Sequence, residues 1–87
     1  MAYELIFHKH AEKGFKELRH HKALTQKLIR FFDQLSLDPD SVSAKKLLGE
    51  WEGCYSYRAG SIRILYEINR PKRTIHVLDI GSRGGIY

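Results

Sequence analysis

Two alternating runs joined by a glycine turn constrain the fold of this chain most strongly. CYSYRA spans residues 54–59 and SIRILYEIN spans residues 61–69. In both, large apolar residues recur at every second position, the period of a β-strand with one buried face. The overlapping AGS is typical of a tight turn between antiparallel strands. The sequence therefore predicts a β-hairpin, with an apolar face formed by Tyr55, Tyr57, Ile62, Ile64, Tyr66 and Ile68.

A third strand is predicted at residues 74–83, TIHVLDIGSR, after the turn NRPKR. Strict alternation puts Val77, Asp79, Gly81 and Arg83 on one face and His76, Leu78, Ile80 and Ser82 on the opposite face. The same rule places Arg58 and Arg63 on the hairpin face that the core does not need. We therefore expect three arginines on one open face of the sheet.

The first half of the chain is predicted to be helical after a short strand, YELIFH at residues 3–8. Apolar residues recur at helical spacing from about Lys9 to His21, and again up to about Leu37, where Pro39 ends the helix. The stripes are formed by Ala11, Phe15 and Leu18, and by Leu24, Leu28, Phe31 and Leu35. The order β, α, α, β, β, β indicates one α+β domain over residues 1–87. Its helical hairpin packs on one face of a largely antiparallel sheet.

The composition and net charge of the chain indicate which kinds of partner it could bind. The chain has 87 residues, 43% of them hydrophobic, and a net charge of +5. Residues 42–87 carry 8 basic and 4 acidic groups, so the positive field comes mainly from the second half and favours polyanions. We expect neither a signal peptide nor a membrane span, and the lone Cys54 fits a reducing, cytoplasmic location.

The three arginines are the strongest candidates for chemistry. Like charges on neighbouring strands repel, and bidentate binding of phosphate by guanidinium groups would justify their placement. The alternative is that each arginine is simply solvated. The histidines lack metal-site spacing, and Cys54 has no evident activating neighbour, so we expect no metal and a small buried thiol. GSRGG resembles a phosphate-binding loop but is followed by no helix.

Three local patterns resemble the RelE/ParE superfamily of bacterial toxins from type II toxin–antitoxin pairs. KLLGEWEGCYSYRAGSIRILYEI is similar to the family core L-x-G…Y-x-x-R-x-G-x-x-R-x-x-Y, the final strand enters IGSR, and the chain closes on R-x-x-x-Y. The resemblance covers nearly the whole chain. It implies a ribosome-dependent mRNA endoribonuclease that uses no cofactor. It also implies inhibition by a RelB-like antitoxin, through which the toxin oligomerises.

Roles follow from the resemblance position by position. It implies catalytic roles for Arg58, Arg63, Arg83 and Tyr87, with Tyr87 at the aromatic acid/base position. Contacts with mRNA in the ribosomal A site and with ribosomal RNA are expected from Lys45, Lys46, Ser56 and Arg58. Two positions depart from the pattern: Ser56 stands where some members carry lysine, and Ser82 precedes Arg83 where many have histidine.

Two other functions remain open at this point. A ParE-like inhibitor of DNA gyrase would share the fold, although that branch generally lacks the terminal aromatic position. A non-catalytic basic RNA-binding module is the third possibility. For the antitoxin, we expect an apolar contact at Ile29, which lies well off the stripe of the second helix, and at Phe32, which lies at its edge.

Overall fold

The element order agrees with the expected one. The computed structural model describes residues 2–81. Strand β1 (Glu4–Phe7) leads into helices α1 (Lys9–Glu17) and α2 (Lys22–Leu37), and strands β2 (Lys45–Lys46), β3 (Cys54–Ala59), β4 (Ile62–Asn69) and β5 (Thr74–Gly81) follow. Single turns of 3-10 helix lie at Pro39–Ser41 and Gly49–Trp51. The two-residue strand β2 was not predicted, because it lies inside the connection that precedes the hairpin.

The strands of residues 2–81 form one sheet in the order β1-β5-β4-β3-β2. Strand β1 is parallel to β5, and the other neighbours are antiparallel. The β3–β4 turn is tight, since Ala59 pairs with Ile62. Within that turn Gly60 has a φ of +62°, whereas Ser61 does not adopt a positive φ, as in a type II′ turn. The predicted α+β fold is confirmed.

Both helices pack on one face of the sheet, the helix face. The apolar stripes of α1 and α2 meet alternate residues of β3, β4 and β5 in one buried cluster, the main core. Its aromatic contacts include Phe31, which stacks on Tyr57 at 3.8 Å between ring centroids. The opposite side of the sheet is here called the outer face. Neither helix in residues 2–81 is long and apolar enough to cross a membrane.

The contact between α1 and β5 is especially close. Gly14 is buried in the middle of α1, directly over the backbone of Ile80. A Cβ added at Gly14 would collide with the Ile80 carbonyl group. Glycine therefore lets the helix axis approach the strand that leads to the C-terminal segment.

Strict alternation along β5 was a wrong prediction. Leu65 pairs with Asp79 while Tyr66 pairs with Val77, so the register shifts and Leu78 has no partner on β4. Ile80 consequently joins Val77 in the main core on the helix face. The cause is a β-bulge, in which two residues of one strand oppose one of the other and the side-chain phase changes.

Candidate functional site

A cationic cavity of about 310 Å³ lies on the outer face of β2, β3 and β4. It is lined by Lys45, Leu47, Ser56, Arg58 and Arg63. Arg58 pairs directly with Arg63 across β3 and β4, and Lys45 pairs with Ser56 across β2 and β3. Directly opposed residues on antiparallel strands project from the same face of the sheet. The register therefore brings four predicted site residues together.

The electrostatics of this cavity favour an anion. Among residues 2–81, three basic side chains and no carboxylate line it. Directly opposed Cβ atoms lie about 5 Å apart, so the Arg58 and Arg63 side chains start close together and repel each other. An oxyanion between them would relieve this repulsion and accept charge-assisted hydrogen bonds from both guanidinium groups. The arrangement suits a phosphate group better than a neutral ligand.

Lys46 was also expected to contact RNA, but it lies apart from the cavity. It pairs with Tyr55, which belongs to the helix face. Its side chain is exposed and does not line the cationic cavity. Because side chains alternate along a strand, only one of two adjacent lysines can face the cavity, and the register selects Lys45.

Arg83 and Tyr87 lie outside the described residues, so their predicted catalytic roles stay predictions. The last described residue, Gly81, pairs with Arg63. The backbone thus leaves β5 directly beside the cationic cavity. In the sequence, Arg83 follows two residues later and Tyr87 six residues later.

An apolar cluster next to the cavity was missed by the sequence patterns. Leu47, Cys54 and Leu65 are buried together on the outer face, and Trp51 and Leu78 pack against them. The sequence pattern that could have predicted this cluster is weak. Leu47 follows a strand of only two residues, and Leu65 lies among residues that were predicted to be on the open face. Leu47 also lines the cationic cavity, so this cluster adjoins the cavity.

Cys54 is buried, as predicted. Burial raises the pKa of its thiol, and the nearby Glu67 carboxylate raises it further. The pKa of Tyr66 is also raised, chiefly by burial in the main core. Both groups are therefore held in their neutral forms at physiological pH, which makes a nucleophilic or basic role unfavourable.

Two of the histidines lie side by side although they are far apart in sequence. His8 Nε2 lies 2.9 Å from His76 Nδ1, and this side-chain hydrogen bond joins the residue that follows β1 to β5. Within residues 2–81, no group of three or more His, Cys, Asp or Glu side chains could hold a metal ion.

The two residues expected to contact an antitoxin behave differently. Phe32 is 6% exposed and packs edge-on against Phe7, within the main core. Its predicted role as a surface contact is therefore wrong. The buried face of α2 is wider than the stripe of Leu24, Leu28, Phe31 and Leu35, and it includes Phe32. Ile29 is 47% exposed and remains available for contact.

The comparisons with known proteins agree with this fold. A family described as "ParE toxin of type II toxin-antitoxin system, parDE" matches residues 5–87. No curated protein sequence matches the chain. Among solved structures, the archaeal RelE–RelB complex from Pyrococcus horikoshii is 29% identical, with 97% of this chain and 98% of that chain covered and a TM-score of 0.77.

Two further structures show how widely this fold is shared. The RelBE2 toxin–antitoxin complex from Mycobacterium tuberculosis is 27% identical, with 95% of this chain and all of that chain covered and a TM-score of 0.78. A YoeB/ParE toxin from Agrobacterium tumefaciens is only 15% identical, with 90% and 95% covered and a TM-score of 0.78. The chain is a toxin of the RelE/ParE superfamily of type II toxin–antitoxin systems.

Proposed function

We propose that this toxin is a ribosome-dependent endoribonuclease that cleaves mRNA and thereby inhibits translation. The observation that carries the proposal is the cationic cavity, in which Arg58 directly opposes Arg63 beside the point where β5 ends. Clustered guanidinium groups suit a phosphodiester whose negative charge increases during the reaction.

The proposed reaction uses the RNA's own 2′-hydroxyl as nucleophile. Its oxygen bonds to the neighbouring phosphorus, and the bond from phosphorus to the 5′-oxygen breaks. The products are a 2′,3′-cyclic phosphate and a 5′-hydroxyl. One group must take the 2′-hydroxyl proton and another must supply a proton to the departing 5′-oxygen.

The residues divide these tasks by their chemistry. Arg58 and Arg63 stabilise the extra charge on the phosphorane, and Arg83 is proposed to join them from the C-terminal segment. Tyr87 is proposed as the acid for the 5′-oxygen. A tyrosine with an ordinary pKa near 10 is a poor base at neutral pH, so its phenol is better suited to donating a proton. Ser56 lacks the charge of the lysine found in some members, which lowers the positive field of the free toxin.

A site that lacks a strong base depends on substrate positioning. The ribosome would hold the mRNA so that the 2′-oxygen is aligned with the phosphorus, which can replace a large part of the missing catalytic power. We further propose an antitoxin as the protein partner, since the P. horikoshii and M. tuberculosis structures are toxin–antitoxin complexes. The exposed Ile29 offers that partner an apolar contact on α2.

A second function is favoured by one observation: the matching family is described by the ParE toxin. A ParE-like toxin would inhibit DNA gyrase by protein–protein contact and would not need a phosphate-binding cavity. The two proposals are separated by adding the toxin to translating ribosomes and, in parallel, to gyrase with supercoiled DNA. New 5′-ends within coding sequences support the nuclease. Trapped DNA breaks without mRNA cleavage would instead support the gyrase inhibitor.

A further inference from the structure

Two histidines from distant parts of the chain bring ring nitrogens together on the outer face of the sheet. His8 Nε2 lies 2.9 Å from His76 Nδ1, and the two rings meet edge to face with their centroids 5.1 Å apart. The two residues are 68 positions apart in sequence, so no spacing rule for metal sites would pair them. Neither the proposed phosphate chemistry nor the main core uses these imidazoles.

The backbone holds both imidazoles in place. His76 lies in β5 between Ile75 and Val77, whose side chains belong to the main core, so the His76 ring projects from the outer face. The His8 N–H donates to the Val77 carbonyl oxygen at 2.9 Å, and the His8 carbonyl oxygen accepts from the Glu12 N–H in the first turn of α1. The His8 side chain does not cap that helix. Only side-chain rotation is therefore needed to aim both nitrogens at one ligand.

The separation of the two nitrogens fits a shared metal ion. Imidazole nitrogens bind divalent transition metals at about 2.0–2.1 Å. Two such bonds at a right angle, as in tetragonal Cu²⁺ or Ni²⁺ sites, place the nitrogens about 2.9 Å apart. The tetrahedral angle that Zn²⁺ prefers requires about 3.3 Å, and a small rotation of the exposed His8 side chain provides the difference.

The surroundings of the pair determine how strongly an ion is held. Glu67 directly opposes His76 across β4 and β5, so a carboxylate side chain starts about 5 Å away on the same face and favours a cation. The positive end of α1 and the neighbouring Lys9 act against a cation. Within residues 2–81, no third His, Cys, Asp or Glu completes a protein site. Water must therefore fill the remaining coordination positions, on the exposed side of His8.

We infer that His8 and His76 bind one divalent transition-metal ion, of the class of Cu²⁺, Ni²⁺ and Zn²⁺, through His8 Nε2 and His76 Nδ1. Neutral imidazole suits these ions, whereas Mg²⁺ and Ca²⁺ prefer oxygen ligands. Each ring then carries its proton on its other nitrogen. The ion joins the start of α1 to β5, the strand that leads to the C-terminal segment. This inference does not depend on whether the toxin cleaves mRNA or inhibits gyrase.

Calorimetric titration of the full chain, prepared without a histidine tag, tests the site. Zn²⁺ and Ni²⁺ are the probes, and Mg²⁺ is the control ion. We expect one Zn²⁺ or Ni²⁺ per chain with a Kd of roughly 1–100 µM, much weaker than a four-ligand structural site. Mg²⁺ should not bind at this pair. At a free Zn²⁺ concentration of about ten times the Kd, the Tm should rise by roughly 5–10 °C.

Three variants identify the ligands. His8→Ala and His76→Ala each leave a single imidazole, so each should weaken binding about tenfold or more and remove the rise in Tm. His21→Ala is the matched control, because His21 is exposed and precedes α2 as His8 precedes α1. It should keep the affinity of the natural protein. If His76→Ala does not fold, the exposed position of His8 still allows the test.

Three results would overturn the inference. They are no binding of Zn²⁺ or Ni²⁺ by the natural protein, unchanged binding by folded His8→Ala, and an equal loss of binding in His21→Ala. A lower Tm in His8→Ala, together with no effect of Zn²⁺ on the Tm of the natural protein, would assign the pair to hydrogen bonding alone and would also refute the metal site.

Discussion

Gly14→Ala tests whether α1 is fixed against β5 as closely as the structure indicates. The added methyl group would meet the carbonyl oxygen and carbon of Ile80. These are backbone atoms of a paired strand, so they cannot move aside as the end of a flexible side chain could. Either α1 must lift away from the sheet or β5 must shift.

Two opposing effects set the size of the change. In an exposed helix interior, replacing glycine by alanine stabilises by about 1 kcal/mol. Adding volume to a packed core costs about 1–3 kcal/mol, and the rigid obstruction here favours the upper part of that range. The net destabilisation is therefore about 1–2 kcal/mol. The same substitution at an exposed helix position would instead raise the free energy of unfolding. For a domain of this size the corresponding loss in Tm is roughly 5–15 °C.

Thermal unfolding followed by circular dichroism measures this loss. Lys16→Ala is the matched control, because Lys16 is exposed on the same helix. Its unfolding free energy should change by no more than about 0.5 kcal/mol. If Gly14→Ala melts at or above the temperature of the natural protein, the close packing of α1 on Ile80 is incorrect.

Three further predictions concern Arg83, Cys54 and the pair of Phe32 and Ile29. Arg83→Ala should abolish mRNA cleavage and growth arrest without changing the Tm. If this variant is as toxic as the unmodified protein, the proposed role of Arg83 is wrong. Because burial raises the pKa of the Cys54 thiol, its thiolate fraction at pH 8 is reduced. Labelling by a disulfide reagent should therefore be slow until denaturant is added, and rapid labelling of the native protein would show an open site. Phe32→Ala should destabilise by about 3–5 kcal/mol, since it removes a buried ring. By contrast, Ile29→Lys should leave the Tm nearly unchanged and weaken binding of the antitoxin. A large loss of Tm in Ile29→Lys together with an unchanged Tm in Phe32→Ala would contradict the placement of Phe32 in the core and of Ile29 on the surface.

The hairpin was predictable because its information is local. Alternation over residues 54–69 and the glycine turn define β3, β4 and their register, so the approach of Arg58 to Arg63 could be expected from sequence alone. The helical stripes were equally readable, and the end of α2 at Leu37 was predicted correctly.

The remaining features depend on register between distant strands. A bulge at Leu78 changes which side chains of β5 face the helices, and nothing in the sequence LDIG indicates that a bulge occurs there. The choice between Lys45 and Lys46 follows from the pairing of a two-residue strand with β3, which is a tertiary contact. For the same reason the cavity lined by His10, Trp51, Leu65, Leu78 and Asp79 could not be predicted, since it combines α1, a 3-10 turn and strands β4 and β5 at the bulge.

The central claim is that Arg58 and Arg63 hold the phosphate of an mRNA during cleavage. The most direct measurement is the rate at which translating ribosomes lose intact mRNA when the toxin is added, with the natural protein compared with Arg63→Gln. Loss of one preorganised charged donor should lower this rate about 100-fold or more. Arg30→Gln, which removes the same charge from an exposed position on α2, should not change it. Equal loss of activity in both variants, or full activity in folded Arg63→Gln, would contradict the claim.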